Sequence, residues 1–303
     1  MISMHKIQNT IFYNHLHSGD VHLSRSLVRY AIKNIDSQKF YYCHPNRPEV
    51  LKDMPQVTYL YGEIPEPMAY DGWTLKGRDL WCNTWYSAYH KQEYQGCTMQ
   101  TLFNIFRRGL RETVGIELPL SPVDYLPEID FNHIDLYGHI AKRFFGTIRP
   151  ELEYKIMISN CDCLSGQSDN FNFNPIIEYL ADAFRCANFY ITNKETRDVK
   201  ETVSRNNVFY MSDIIQQEGC DLNEISYLST FCNMIIGRGS GPQTFSITKR
   251  NLNDPDKIFV FLTKEDFGVA EKVSAKISKY ENFKISQVPI ILKNEIKRGL
   301  SKW

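Results

Sequence analysis

The chain alternates between short apolar runs and longer stretches in which apolar residues recur every three or four positions. In the second half, the runs YKIMISN, NFYITN, NVFYMSDI, NMIIG and KIFVFLT have the length and composition of buried strands. The amphipathic stretches PIIEYLADAF, ETRDVKETV and DLNEISYLSTF lie between them and predict helices. Strands that alternate with helices in this way predict a parallel sheet built from right-handed crossovers.

The first half shows a similar alternation with more interruptions. TIFYNHL, KFYYCHP and VTYLYG predict strands, and the apolar positions from Val21 to Ile35 predict a helix after the first of them. A helix that begins near Thr98 and a further one over HIDLYGHIAKRFF follow, whereas the Pro- and Gly-rich residues 65–77 predict a loop.

This pattern predicts an α/β protein of two Rossmann-like, doubly wound domains. We place the first in residues 1–150 and the second in residues 151–303, joined near residues 145–153. Ligands of such sheets bind in the crevice outside the carboxyl ends of the strands. In a two-domain arrangement we expect that crevice to be an inter-domain cleft.

Composition narrows the function class. The 303 residues carry a formal net charge of zero, which argues against a dedicated nucleic-acid binder. No apolar run of about 18 residues exists, and the N-terminus lacks the apolar core of a signal peptide, so we expect a cytoplasmic protein. Eight cysteines are too few for a disulfide scaffold, and the lone pair Cys161 and Cys163 is weak evidence for zinc, so we predict no metal.

The stretch IIGRGSGPQTFS is a glycine-rich turn between a strand and a helix. Its small residues and helix N–H groups suit an anion, and a guanidinium adds a charge-assisted contact to phosphate. The candidate phosphate-binding residues are Arg238, Gly239, Ser240, Gly241 and Thr244. The alternative is a tight turn that needs glycine for its geometry alone.

Two more polar stretches follow strands that point to the same crevice. In SNCDCLSGQSDNFNFN, the side chains of Ser159, Asn160 and Ser168 suit phosphate or sugar hydroxyls, although a solvated loop is an equally good interpretation. In WCNTWYSAY, Asn83 and Trp85 are candidates for binding an acceptor, with packed core as the alternative.

The stretch NHLHSGDVHLSRSLVRYAI passes from the first strand directly into a helix. Asp20 either caps that helix or acts as a general base on an acceptor hydroxyl. His17 is the second candidate base, because a neutral imidazole is available near pH 7, and His15, which lies on the same face of the extended segment, is a candidate for acceptor binding.

Two separated segments, SGDVHLSRSLVRYAI and DLNEISYLSTFCNMIIGRGSGPQTFS, resemble the lipopolysaccharide heptosyltransferase family. The resemblance implies the GT-B fold, in which two Rossmann-like domains flank the active site, and sugar transfer from a nucleotide diphosphate without a bound metal. It places Asp20 as the general base and lines the donor phosphates with Ser240, Gly241 and Thr244. The chain departs from the family where Gly239 replaces an aspartate and Thr244 a histidine, and residues 159–173 contain no lysine.

These observations predict a metal-independent glycosyltransferase of polysaccharide biosynthesis, hexosyl- or heptosyltransferase-like. It moves a sugar from a nucleotide-diphosphate donor to a hydroxyl of a glycan, lipid-linked or other acceptor, and it needs no cofactor besides that donor. Arg238 and the helix N–H groups stabilise the leaving diphosphate. Two alternatives stay open: a nucleotide-sugar epimerase or hydrolase of the same architecture, and a non-catalytic nucleotide-binding scaffold.

Overall fold

The computed structural model divides the chain into two compact units. It describes residues 7–302 apart from 15–16, 46–47, 63–71, 85–98, 119–125, 148–153, 165, 167, 198, 220 and 264–274. The first unit holds the described residues up to Asp130, and the second holds those from Phe131 onward. The contacts between residues therefore place the boundary between the two units after Asp130, earlier in the chain than the predicted boundary at residue 150.

The first unit is a five-stranded sheet in the order β3-β2-β1-β5-β4. Its strands are β1 (Ile7–Tyr13), β2 (Ser37–His44), β3 (Val57–Tyr61), β4 (Trp73–Lys76) and β5 (Asp79–Asn83). Its helices are α1 (Ser18–Leu23), α2 (Arg25–Asn34) and α3 (Met99–Val114), with a short 3-10 helix at Pro48–Leu51. All pairings are parallel except that of β4 with β5.

The predicted loop over residues 65–77 is wrong where β4 lies, while residues 63–71 are outside the described part of the chain. Strands β4 and β5 form a hairpin, and its tight turn begins at Gly77, which has a φ of +61°. Glycine accepts that backbone conformation without steric cost. The glycine that suggested a loop is therefore the turn of a hairpin between two strands.

The second unit is a six-stranded, fully parallel sheet in the order β11-β10-β9-β6-β7-β8. Its strands are β6 (Tyr154–Ser159), β7 (Ala187–Ile191), β8 (Val208–Tyr210), β9 (Met234–Arg238), β10 (Ile258–Leu262) and β11 (Lys276–Tyr280). Its helices are α4 (Phe131–Ile134), α5 (His139–Gly146), α6 (Asn174–Ala183), α7 (Met211–Ile215), α8 (Leu222–Ser229), α9 (Gly241–Phe245), α10 (Lys249–Leu252) and α11 (Val288–Leu300), with a 3-10 turn at Ile285–Gln287.

Three predictions for this unit are wrong in detail. The stretch HIDLYGHIAKRFF is two helices, because Gly138 at the start of α5 has a φ of +68° that no continuous helix allows. The described residues of ETRDVKETV contain no helix. The chain also adds a strand, β11, beyond the run KIFVFLT that was expected to be the last.

The burial of the strands in the core explains why the strands of the second unit could be predicted from apolar runs in the sequence. Strands β7, β9 and β10 are buried along their whole length, as expected for a parallel sheet covered on both faces. Helices α6 and α11 contribute Ile177, Leu180, Leu292 and Ile296 to the same apolar cluster as these strands. Among the described residues, no helix combines the length and the apolar character needed to cross a membrane.

Gly237 sets how closely β6 and β9 approach at their carboxyl ends. It pairs with Ser159 in the parallel register, and a Cβ atom placed on Gly237 would lie 2.8 Å from the Cβ of Ser159. Real Cβ atoms do not approach one another so closely, so a side chain here forces backbone to move. Glycine at this position is therefore a packing requirement of the sheet.

We expect Gly237→Ala to lower the free energy of unfolding by about 1–3 kcal/mol, because the added methyl group overpacks a buried strand. Urea denaturation followed by far-UV circular dichroism measures the change. Gly62→Ala is the matched control, since a Cβ at Gly62 meets nothing within 4 Å. Equal stability of the two variants would contradict the packing argument.

Candidate functional site

The second sheet has its topological switch point between β6 and β9. Counted within this unit, the strand order is 3-2-1-4-5-6, and the order reverses between these two strands. In doubly wound sheets the ligand crevice lies outside the carboxyl ends of the strands at this point. The hydroxyl oxygens of Ser159, the last residue of β6, and Ser240, the second residue after β9, lie 2.9 Å apart there. The structure thus brings together the two polar segments of this half that the sequence singled out.

Arg238, the last residue of β9, has its side chain inside the protein, with 1% of its surface exposed. Its guanidinium has five N–H donors, and each has an acceptor. The acceptors are the carbonyl oxygens of Cys161 (2.9 Å), Asn160 (3.0 Å), Phe171 (3.0 Å) and Asp169 (3.4 Å) and the carboxylate of Asp162 (3.2 Å).

This arrangement argues against the predicted phosphate contact of Arg238. With all five donors engaged inside the protein, the guanidinium has none left for a bidentate phosphate contact in this conformation. Burial lowers the pKa of Arg238, and the nearby carboxylate of Asp162 opposes that shift. Asp162, which the sequence analysis did not select, also accepts a hydrogen bond from the backbone N–H of Arg197 at 2.7 Å.

Asn160 joins the ends of two neighbouring strands. Its Nδ2 donates to the carbonyl of Asn193 at 2.9 Å, and its Oδ1 accepts from the Thr192 hydroxyl at 3.1 Å and from the Asn193 N–H at 2.9 Å. Both ends of the Asn160 amide therefore bind the protein, which argues against the predicted phosphate contact of this side chain. The sequence held a signal for this link, since an asparagine lies within two residues of the end of both β6 and β7.

The remaining predicted phosphate-binding groups are mostly buried and bonded internally. Ser168 donates to the carbonyl of Leu262 at 2.9 Å, and Thr244 donates to the carbonyl of Ser240 at 3.0 Å. Ser159, Ser168, Gly239, Ser240 and Thr244 are all buried, whereas Gly241 is half-buried at the start of α9. Most of the predicted donor-site side chains therefore bond to groups of the protein itself.

Cys161 and Cys163 follow β6 and are both free thiols. The thiol of Cys163 donates to the carbonyl of Gly239 at 2.9 Å, and burial raises the pKa of Cys161. Across the described part of the chain, no group of three or more His, Cys, Asp or Glu side chains is arranged to hold a metal ion. Metal independence stays a prediction, because this observation concerns only part of the chain.

Asp20 lies in the first turn of α1, in the first unit. Its Oδ2 accepts a hydrogen bond from the backbone N–H of His17, the helix N-cap, at 3.0 Å. This is the reciprocal half of a capping box, so the capping interpretation describes one role of Asp20. The carboxylate is half-buried and His17 is exposed, while His15 lies outside the described residues.

A buried hydroxyl network fixes the carboxyl edge of the first sheet next to α1. The hydroxyl of Tyr42 lies 2.9 Å from Thr84 Oγ1 and 3.3 Å from Ser24 Oγ, and Asn14 Nδ2 donates to Thr84 Oγ1 at 3.3 Å. Burial raises the pKa of Tyr42, so its hydroxyl stays protonated. Ser24 is the break between α1 and α2, which the sequence analysis predicted as one helix.

Of the three residues predicted to bind the acceptor, Asn83 is the one that lies in the described part of the chain. Asn83, the last residue of β5, has no exposed surface, so its side chain faces the interior of the first unit. Trp85 lies outside the described residues. The core interpretation of this aromatic stretch therefore fits its described part better than the acceptor interpretation does.

A buried ionic network ties α2 to the chain that follows β2. Arg25 and Asp53 form an ion pair with both side chains fully buried, and Arg29 reaches the second oxygen of Asp53 at 2.6 Å. Arg25 also donates to the carbonyl of Val50 and, through Nε, to Nδ1 of His22 at 3.0 Å. His22 was not selected from the sequence, and as an acceptor at Nδ1 it is a neutral imidazole.

The charges around Asp53 decide its protonation. Burial by itself raises the pKa of this carboxyl, but the charges of Arg25 and Arg29 and the N–H of Asp130 outweigh burial, so the pKa lies below its usual value. A carboxylate with a lowered pKa stabilises the folded state above the pKa of the unfolded chain. That stabilisation is lost as the pH falls through the folded-state pKa.

We expect Asp53→Asn to lower the free energy of unfolding by about 3–5 kcal/mol at pH 7, because it leaves a buried guanidinium without its counter-charge. The difference from the wild type should hold above about pH 5 and shrink below about pH 4. Urea denaturation followed by tryptophan fluorescence measures it, since Trp73 and Trp81 lie in this unit. A pH-independent difference, or a loss no larger than that of exposed Asp36→Asn, would contradict the argument.

Comparisons with known proteins show likeness in structure but not in sequence. No protein-family model matches the chain, and no curated protein matches its sequence. A family 9 glycosyl transferase from Veillonella parvula superposes with a TM-score of 0.53 at 11% identity, over 95% of this chain and 91% of that one.

Two Escherichia coli enzymes are similar to the same degree. Heptosyltransferase WaaC, solved with ADP-2-deoxy-2-fluoro heptose, gives a TM-score of 0.53 at 11% identity over 96% of this chain and 99% of its own. ADP-heptose lipopolysaccharide heptosyltransferase II gives 0.51 at 11% identity over 97% and 99%. The chain has the GT-B fold. The fold implied by the resemblance of the two sequence segments is thus confirmed.

Proposed function

We propose that the protein is a glycosyltransferase that moves a sugar from a nucleotide-diphosphate donor to an acceptor hydroxyl. The observation that supports this most is the likeness over nearly the whole length of both chains to enzymes that use such donors. WaaC was solved with an ADP-linked heptose analogue, and it matches 96% of this chain. A match restricted to one Rossmann-like unit would support only nucleotide binding, whereas this one includes both units.

The donor is proposed to bind at the switch point of the second sheet. Support comes from the strand order and from the hydroxyl and backbone groups that gather there, between Ser159 and Gly241. The proposal includes no metal and no cofactor besides the donor.

A nucleotide that binds the folded protein raises its melting temperature by mass action. We expect at least one of ADP, UDP, GDP and CDP, at about 100 times its Kd, to stabilise the protein by about 2.7 kcal/mol, which differential scanning fluorimetry detects as a shift of a few degrees. Free phosphate at the same concentration controls for ionic effects. No shift with any nucleotide or nucleotide sugar would count against the proposal.

The general base is proposed to be Asp20, with His17 as the second candidate. The carboxylate follows the first strand in the first turn of α1 and is half-buried, and a carboxylate is a suitable general base for a hydroxyl. The proposed acceptor of the sugar is a hydroxyl group of a glycan, of a lipid-linked molecule or of another molecule. The compartment proposed for the reaction is the cytoplasm.

We expect Asp20→Asn to lower the rate of sugar transfer by about 10²–10⁴-fold, because the amide keeps the capping acceptor but cannot take a proton. Nucleotide affinity, measured by calorimetry, should stay within about twofold of the wild type. Asp36→Asn, at an exposed carboxylate of the same unit, is the control. Full turnover of the Asp20 variant would remove this residue from the mechanism.

A non-catalytic nucleotide-binding scaffold is the second candidate, and one observation favours it. Arg238, Asn160 and Thr244, all expected at the donor phosphates, are engaged within the protein. Nucleotide binding without turnover of any nucleotide sugar, with or without acceptors, would select it. Turnover of a nucleotide sugar without acceptor would instead indicate an epimerase or hydrolase.

A further inference from the structure

We propose that Arg238 is a positioning residue that shapes the donor site through the chain after β6 and does not itself bind the diphosphate. This chain, residues 160–173, is named the β6–α6 segment. The inference rests on the proposed donor site, since it assigns how that site is built. Its basis is the set of contacts that one buried guanidinium makes along the segment.

The acceptors of Arg238 are spread over most of the β6–α6 segment. Nη2 binds the carbonyl of Asn160 and the carboxylate of Asp162, both directly after β6. Nη1 binds the carbonyls of Asp169 and Phe171, near the other end. One side chain thus joins the two ends of the segment to the end of β9. Without it, four backbone carbonyls and one carboxylate oxygen of the segment lose the hydrogen bond that Arg238 donates.

Two aromatic rings hold the guanidinium in place. Its central carbon lies 5.0 Å from the ring centre of Phe171 and 5.2 Å from that of Phe173. Phe173 belongs to the apolar core beneath the sheet and directly precedes α6. The guanidinium is therefore anchored to the rigid core, and the loop is anchored to the guanidinium.

The segment held in this way also carries groups predicted for the donor. Ser168 reaches the carbonyl of Leu262 at the end of β10, and Cys163 reaches the carbonyl of Gly239 in the glycine-rich turn. The position of the segment therefore determines the surface at the carboxyl ends of β6, β9 and β10. A change at Arg238 should alter that surface without removing any group that contacts a donor.

Lysine and glutamine variants separate positioning from direct phosphate binding. Lysine keeps a positive charge that binds phosphate as a point charge, but it lacks the planar fork with five donors. Positioning therefore predicts that Arg238→Lys and Arg238→Gln are impaired alike. Direct phosphate contact predicts that the lysine variant stays close to the wild type while the glutamine variant does not.

The first experiment is hydrogen–deuterium exchange on the ligand-free, full-length protein. In both variants we expect amides of the β6–α6 segment to exchange at least about tenfold faster, while those of β7 and α11 stay unchanged. Arg205→Lys is the matched control, because Arg205 is a surface arginine of the same unit paired with Asp182. Phe171→Leu, which keeps every donor of Arg238 but removes one ring, should give an intermediate increase even if the arginine variants fold poorly.

The second experiment measures the affinity of ADP, UDP, GDP and CDP, each alone, by calorimetry. We expect both arginine variants to lose about tenfold in affinity for whichever nucleotide binds the wild type, and the Arg205→Lys control to lose nothing. Amide exchange at the wild-type rate in the lysine variant would overturn the proposal, and so would nucleotide affinity equal to that of the wild type. If the wild type binds none of the four, the donor role fails together with the proposed function, while the exchange result still decides whether Arg238 holds the segment.

Discussion

The second unit depends on a buried guanidinium whose donors must all be satisfied. A charge without partners is costly in the interior of a protein, so Arg238 is compatible with the fold only if acceptors surround it. The chain after β6 supplies them from its backbone, which places that chain over the carboxyl ends of the central strands. The shape of the candidate donor site follows from this requirement.

The first unit meets a similar constraint with different residues. Arg25 lies fully buried in α2, and it binds the carboxylate of Asp53 and the carbonyl of Val50 in the chain after β2. In each unit a buried arginine joins an irregular segment to a regular element. Apolar packing holds the sheets together in both units, but these polar ties determine where the connecting chain runs at the sheet edge.

Much of the fold was predictable because its signals are local. The apolar runs of the second unit are buried strands, so their composition alone identified them, and the glycine-rich turn was recognised from its residue types. Two of the wrong predictions have a common origin. Gly77 and Gly138 were taken into a loop and a helix, respectively, but their positive φ angles make them a hairpin turn and a helix boundary, which depends on the chain on either side.

The sequence by itself determined the alternation of strands and helices, the class of fold and the two polar segments that meet at the switch point. These features arise from periodicity and residue type within windows of about ten residues. Only the tertiary structure decided the role of Arg238, because its five acceptors lie between 67 and 78 residues away along the chain. The hydrogen bonds between Asn160 and Asn193, which lie 33 residues apart, were likewise decided only by the tertiary structure. Whether a polar side chain faces a ligand or the protein depends on which distant groups the fold brings to it.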